Sequence, residues 1–289
     1  MTKAAVVVLG IVALLLIAAV PDGLVVREDR VVFRPVVMAE DIGGYLQGIV
    51  TGEAFRYQER WHTRSFLAQA GDRAVRSLVY LGLSALAAVT VGLLTGLWLT
   101  ARRKDGIREA LTSMAAVPDF VLALLLQIGV VAVYRWSGYR VARVVSLTDA
   151  EPAVLLPLLT LTLVPGISVL RTVSARAHMA AAADHTLVAK ALGMSRRRIY
   201  LTRLTPIVLG FVRADIPRLA GTMLGNLFIV EYLFNIRGVT TFVITRGLIG
   251  GYQYDLVMNA LLLIAGLYAA VYLVLRLYLG ALEGAVTRL

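Results

Sequence analysis

The chain of 289 residues contains no cysteine and three histidines, and Asp, Glu, Lys and Arg together make up 16% of it. The missing thiols exclude disulfides, thiolate metal sites and cysteine nucleophiles. None of His62, His178 and His185 lies inside a long apolar run, and their spacing suggests neither metal ligation nor acid–base catalysis. No Gly-Lys pair occurs anywhere, so the chain cannot build its own P-loop for ATP. A Gly-x-Ser-x-Gly elbow and paired aspartates within an apolar run are also missing. An enzyme reading has little to stand on.

What is abundant is apolar. Hydrophobic residues make up 59% and mean hydropathy is +0.78, whereas a soluble domain is about half apolar and about a quarter charged. The net charge is +11 and the isoelectric point near 10.2. No aromatic-plus-basic nucleic-acid module accompanies that charge; many bases sit at the ends of apolar runs, where they set membrane topology and meet anionic lipid.

The apolar runs define a polytopic plan. Ala4–Val20 reads as a retained first helix, although Ala18-Ala19-Val20 before Pro21 also suits a signal peptide. Asp22 to Arg73 is polar, and its acids (Asp22, Glu28, Asp29, Glu40, Asp41, Glu53, Glu59, Asp72) nearly balance its bases, which permits an external location. Val25–Val37 suits a short hairpin, while Gly43-Gly44 and Gly48–Gly52 are expected to break the rest. Ser77–Thr100, Val117–Trp136 with Pro118 in its first turn, Pro152–Leu170, Ala214–Phe234 and Leu256–Leu279 follow. Each is near the roughly twenty residues that cross about 30 Å of hydrocarbon. Six helices with both termini cytoplasmic put the basic segments Ala101–Gly106 and Arg171–Pro206 on one side. The expected fold is therefore all-α and membrane-embedded: a first transmembrane helix over 1–21, a small external subdomain over 22–73, and a five-helix core over 74–289.

Arg171–Pro206 is the longest polar interruption of the second half. It sets Arg171, Arg176, Lys190, Arg196, Arg197, Arg198 and Arg203 against one acid, Asp184. Leu187, Ala191 and Met194 fall at helical spacing, Gly193 can end that helix, and Ser195 can cap a second short one that should stop before Pro206. Two short helices meeting at a glycine on the cytoplasmic face suit the docking of a soluble partner.

Asp184-His-Thr-Leu-Val-Ala-Lys-Ala-Leu-Gly193 resembles the cytoplasmic loop of ABC importer permeases, and in particular the branch serving oligopeptides, dipeptides and nickel. Ala189, Lys190, Ala191 and Gly193 fit that branch's Ala-basic-Ala-x-Gly run, whereas Leu187 stands where the general motif has glutamate. Val230-Glu-Tyr-Leu-Phe234, then Gly238 and Tyr254, resemble a second region of the branch; Ser77–Gly82 and Ala101–Lys104 resemble the two ends of its second span. About Arg73 to Leu282 is covered. The resemblance implies a six-helix type I ABC importer permease fold in the bacterial cytoplasmic membrane, without bond chemistry, cofactor or nucleic acid on this chain. It implies as partners a second homologous permease subunit, an external solute-binding protein, and two cytoplasmic ATPases that use ATP and Mg. The ATPases would dock on 171–206, through Asp184, His185, Leu187, Ala189, Lys190, Ala191, Gly193, Ser195 and Arg197.

Four residues stand out as candidates for a translocation path or gate: Arg213, Asp215, Asn226 and Glu231. With Arg218, the first two are ionisable at the inner end of the fifth span, where they either serve function or pair among themselves at the headgroup boundary. Gly221 and Gly225 form a small-xxx-small pair, which usually means close helix packing. Asn226, at mid-span, either lines a path or hydrogen-bonds a neighbouring helix. Glu231 falls where the resemblance places a recurrent acid; a gate, a binding-protein contact and a plain interfacial carboxylate are all open. An ATP-independent secondary transporter or channel would need intramembrane ion-coupling residues and an inverted repeat, and an intramembrane enzyme a catalytic cluster at one depth; neither pattern is evident.

Overall fold

The computed structural model describes every residue except 1–2, 28–29, 60, 103, 115–116, 149–150, 245–250 and 288–289. Two compact units emerge, one formed by residues 1–77 and 237–267, the other by 78–236 and 268–289.

The first unit begins with α1 (Lys3–Gly23), the hairpin β1 (Leu24–Arg27) and β2 (Arg30–Phe33), and α2 (Pro35–Thr51). The hairpin pairs Leu24 with Phe33 and Arg27 with Arg30, inside the stretch whose β-branched residues predict it. Of the glycines beyond it, only Gly52 breaks the chain as expected. Helix α2 starts on Pro35, whose fixed φ suits a first turn, and runs through Gly43, Gly44 and Gly48 before stopping at Gly52. Its buried residues Met38, Tyr45 and Gly48 recur at helical spacing. Gly48 is needed for contact, because a Cβ there would lie 3.0 Å from the backbone nitrogen of Ala54 as the chain folds back through a 3-10 turn, Glu53–Phe55.

A second hairpin, β3 (Arg56–Glu59) with β4 (His62–Ser65), was not expected; it leads into the 37-residue α3 (Phe66–Arg102). The start of the last helix completes this unit. Tyr45 Oη donates to Asn259 Oδ1 at 2.9 Å, and Asn259 Nδ2 donates to the Ala54 carbonyl at 2.7 Å. Tyr254 meets Tyr45 edge-on, with ring centroids 5.7 Å apart. Ser77 Oγ accepts from the Val239 amide at 2.9 Å.

The second unit contains the rest of α3, then α4 (Asp105–Ser113), α5 (Asp119–Ser137), α6 (Leu155–Ala182), α7 (Asp184–Ala191), α8 (Arg196–Ile199), a π-helical turn (Tyr200–Leu204), α9 (Thr205–Ala214), α10 (Ile216–Leu233) and the end of α11 (Tyr254–Thr287). Pro118 stands just before α5 instead of within its first turn. Its central helix is α6, which buries Leu156, Leu161, Val169, Val173 and Ala177. Helix α3 lies directly on it. A Cβ at Gly92 would sit 2.6 Å from the Gly166 carbonyl oxygen, and one at Gly96 2.7 Å from Val173. This Gly-x-x-x-Gly pair is what lets the two backbones approach. Tyr80 Oη adds a hydrogen bond to the Ala153 carbonyl at 2.7 Å.

Two boundaries differ from expectation. Helix α6 does not end at Leu170 but continues to Ala182, because the alanine-rich run carries no breaker and Val173, Ser174, Ala177 and Ala180 keep its buried stripe going. The chain from Arg196 does not stop before Pro206 either: it passes through the π-helical turn into α9, where Pro206 falls in the first turn and loses no hydrogen bond. Among the described residues, α3, α5, α6 and α11 are long and apolar enough to cross a membrane, and Val7–Gly23 of α1 is a shorter apolar helix.

Candidate functional site

The basic segment is a folded object, not a loop. At the end of α6, Ala183 turns extended. Buried Thr186 donates from Oγ1 to the Ala180 carbonyl at 2.7 Å, which folds α7 back against the helix it follows. Ala180, Ala189, Ile199 and Leu204 bury one another, with Met194 packed alongside. Helix α7 then closes on Gly193, whose φ of +79° is the left-handed region that glycine enters without strain. The Met194 amide reaches back to the Ala189 carbonyl at 3.1 Å, and both residues join the same small core. This is a Schellman end with its accompanying hydrophobic contact. Ser195 caps α8 as expected: its Oγ accepts from the Arg198 amide at 3.4 Å and its carbonyl from the Ile199 amide at 3.0 Å.

The nine docking candidates separate accordingly. Ala189 is buried and positions α7; Gly193 and Ser195 form the corner; Asp184 and Ala191 are exposed. His185, Leu187 and Lys190 lie on the α7 backbone and Arg197 on that of α8, but their side chains are outside the described residues. Two residues that sequence reasoning passed over are the most prominent. Val188 is 57% exposed and Leu192 77% exposed, and with Ala191 they make an apolar face at i, i+3, i+4. Their spacing was available in the sequence; the direction in which it points was not.

The second group gathers where α9 meets α10. Asp215 sits in the joint, and its Oδ2 accepts from Thr172 Oγ1 and from Arg218 Nη2, both at 3.1 Å. Arg218 Nη2 also donates to Ser168 Oγ at 2.9 Å. The Arg176 guanidinium lies 4.1 Å over the ring of Phe211. These residues line a cleft of about 540 Å³ between α6 and the α9–α10 joint. Arg213 does not join them; it pairs with Glu283 of α11 at 2.8 Å. Of Arg213, Asp215 and Arg218, the last two pair with each other, and Arg213 pairs outside the group.

Asn226 and Glu231 lie on the inward face of α10, 7% and 1% exposed. Glu231 is therefore buried within the chain, not exposed on its surface. Asn226 faces Asp119 at the start of α5. The open face of α10 instead carries Arg218, Gly221, Thr222, Gly225 and Tyr232, and among the described residues nothing lies within 4 Å of a Cβ placed at Gly221 or Gly225. Close packing within the chain uses Gly92 and Gly96. The four path candidates are not brought together.

The Val230–Phe234 region is likewise a helix end. Asn235 has φ +51°, the Ile236 amide donates to the Glu231 carbonyl at 2.8 Å, and Asn235 Nδ2 donates to the Ser146 carbonyl at 2.8 Å. It repeats the closure found at Gly193, with asparagine in the left-handed position.

Long apolar helices, with a capped basic segment between two of them, define a multi-pass membrane protein. Residues 88–288 match the family described as the binding-protein-dependent transport system inner membrane component. The chain belongs to that family, the inner-membrane permease subunits of ABC importers, in which ATP hydrolysis lies in separate subunits. No curated protein sequence matches it. Its fold is similar to that of the MetNI methionine ABC transporter in inward-facing conformations: TM-score 0.55, 16% identity, 73% of this chain and 94% of that chain covered.

Proposed function

We propose that this permease carries oligopeptides, dipeptides or a nickel chelate, in a pseudo-symmetric heterodimer with a second permease. In this reading it has six membrane-spanning helices, with α1 and α10 joining the four long apolar ones, and both termini are cytoplasmic. The segment 22–73 then faces outward and meets the solute-binding protein. Two ATPases dock on 171–206, and nucleotide and Mg stay with them.

The observation that carries this reading is the exposed apolar face Val188–Ala191–Leu192 on a helix fixed at both ends by hydrogen bonds. A solvated loop has no use for a clamped hydrophobic surface, whereas a lever seated in a cleft of another protein needs both the surface and the clamp. Helix α7 is tied to α6 behind it and runs through α8 and the π-helical turn into α9 ahead. A displacement of the docked face is thereby delivered to α6 and to the α9–α10 joint as rigid motion between two packings, which is alternating access. The open small-residue face of α10 suits the partner permease. The substrate class follows from the resemblance of the 184–193 and 230–254 motifs to the peptide and nickel branch.

Co-expression with ABC ATPase and solute-binding-protein subunits from the same genome tests it. The complex should co-purify and drive ATP-dependent uptake of labelled peptide or nickel chelate into vesicles. Uptake that runs without ATP on the permease alone would make it a secondary transporter or channel.

A further inference from the structure

The cleft between α6 and the α9–α10 joint is not taken up by the docking face. Its wall brings Arg171, Arg176 and Arg218 together against the single carboxylate of Asp215. The three are held differently. Arg218 is oriented by Ser168 and Asp215, Arg176 is laid over Phe211, and Arg171 is exposed with no polar partner among the described residues. One acid cannot compensate three guanidiniums, so the cleft keeps a positive excess that an anion would relieve. Guanidinium forks match the oxygens of a phosphate in pairs, and a cleft of about 540 Å³ has room for a headgroup as well as an ion.

We propose that this cleft binds a phosphate group, and that an acidic phospholipid headgroup supplies it. The level of the cleft favours that source. From Leu155 to Leu170 helix α6 carries no charge, and Arg171 and Arg176 are the first charges after that apolar length. The cleft therefore opens where hydrocarbon gives way to headgroups, and basic pockets between helices at that level hold anionic lipid. Which leaflet provides the lipid rests on the orientation proposed above; the anion chemistry does not. An occupant would share Arg218 with Asp215 and brace α6 against the joint through which the docking segment acts.

The test uses the full chain, purified and delipidated, with native mass spectrometry to count bound phosphatidylglycerol or phosphatidylcholine. Wild type should keep phosphatidylglycerol in preference. Arg171→Gln should weaken it about fivefold, and Arg171→Gln with Arg176→Gln further, at roughly 1 kcal/mol per arginine near a membrane surface. Arg171 breaks no described contact when replaced, so its effect cannot be ascribed to misfolding, and Arg140→Gln on the loop after α5 should change nothing. Inorganic phosphate that binds with the same arginine dependence and displaces the lipid supports the site with a soluble source. Equal retention of both lipids, or wild-type binding by the double variant, overturns the proposal. So does lipid lost on assembly with the second permease, which would assign this face to the partner. No uptake is measured, so a negative result leaves the importer reading standing.

Discussion

Replacing Gly193 with valine isolates the corner of the proposed docking segment from everything else. A Cβ at this position meets nothing within 4 Å among the described residues, so space is not what limits the change. Its whole effect is on the backbone, which at φ +79° is costly for any residue with a Cβ, by about 1–2 kcal/mol and most for a branched one. The chain can escape by leaving the left-handed region, at the expense of the Met194-to-Ala189 hydrogen bond and the packing of Met194 that goes with it. Either way the capped corner loses roughly 5- to 30-fold in population. Against several packed spans that is small, and Gly193→Val should insert and assemble normally. Against a lever that must hold one angle it is large, so ATPase co-purification or ATP-coupled uptake should fall by a similar factor. The protein supplies its own control. Asn235 occupies the equivalent position at the end of α10 with φ +51°, so Gly193→Asn should keep most of the coupling, with alanine between the two. If valine and asparagine variants both couple like wild type, the corner is not the transmitting element.

Further outcomes are expected elsewhere. Gly92→Val drives a side chain into the Gly166 carbonyl and Val169, both within 2.7 Å of its Cβ, and should cost at least 1–3 kcal/mol of stability; an unchanged melting temperature of the purified chain would refute the close approach. Asp41 in α2 has its carboxyl pushed above the ordinary range, by burial first and Glu40 second, and its Oδ2 is buried without a hydrogen bond. Because protonation is easier in the folded state, stability associated with this group is full below the unfolded carboxyl range and declines as pH rises through the raised folded value. Asp41→Asn should therefore raise the melting temperature at neutral pH and lose that gain in acid; a gain independent of pH would contradict this. Cysteines at the exposed positions Glu53 and Ser195 should react with an impermeant reagent from opposite faces of the membrane, and labelling from one face would end the six-span topology.

The legible parts of this chain are those whose chemistry is local. Gly193 and Ser195 cap as their types demand, and the β-branched run after α1 pairs as a hairpin. What was hidden depends on how the chain folds back on itself. Gly48 looks like a breaker, and only the return of Ala54 explains why a helix keeps it. Gly92–Gly96 and Gly221–Gly225 share one spacing; α6 covers the first pair, and among the described residues nothing covers the second. Glu231 stands near the end of its span with several roles open to it, and its place on the inward face of α10 is visible only in the fold. The apolar face of α7 illustrates a further limit. Periodicity finds a helix side, but whether Ala189 or Leu192 faces inward is decided by where Thr186 ties the helix down.

The π-helical turn Tyr200–Leu204 sets an azimuth. It is closed by the Thr205 amide on the Tyr200 carbonyl, five residues back instead of four, and so holds one residue more than a continuous α-helix would. Removing a single residue from it would let α8 and α9 fuse into one regular helix. Helix α8 would then turn by about 100° around the α9 axis and move along it by about 1.5 Å. The seating of Ile199 beside Ala180 and Ala189 is thus fixed by a count of one residue. A deletion there should keep α9 regular and still draw Ile199 out of the small core that holds α7 on α6.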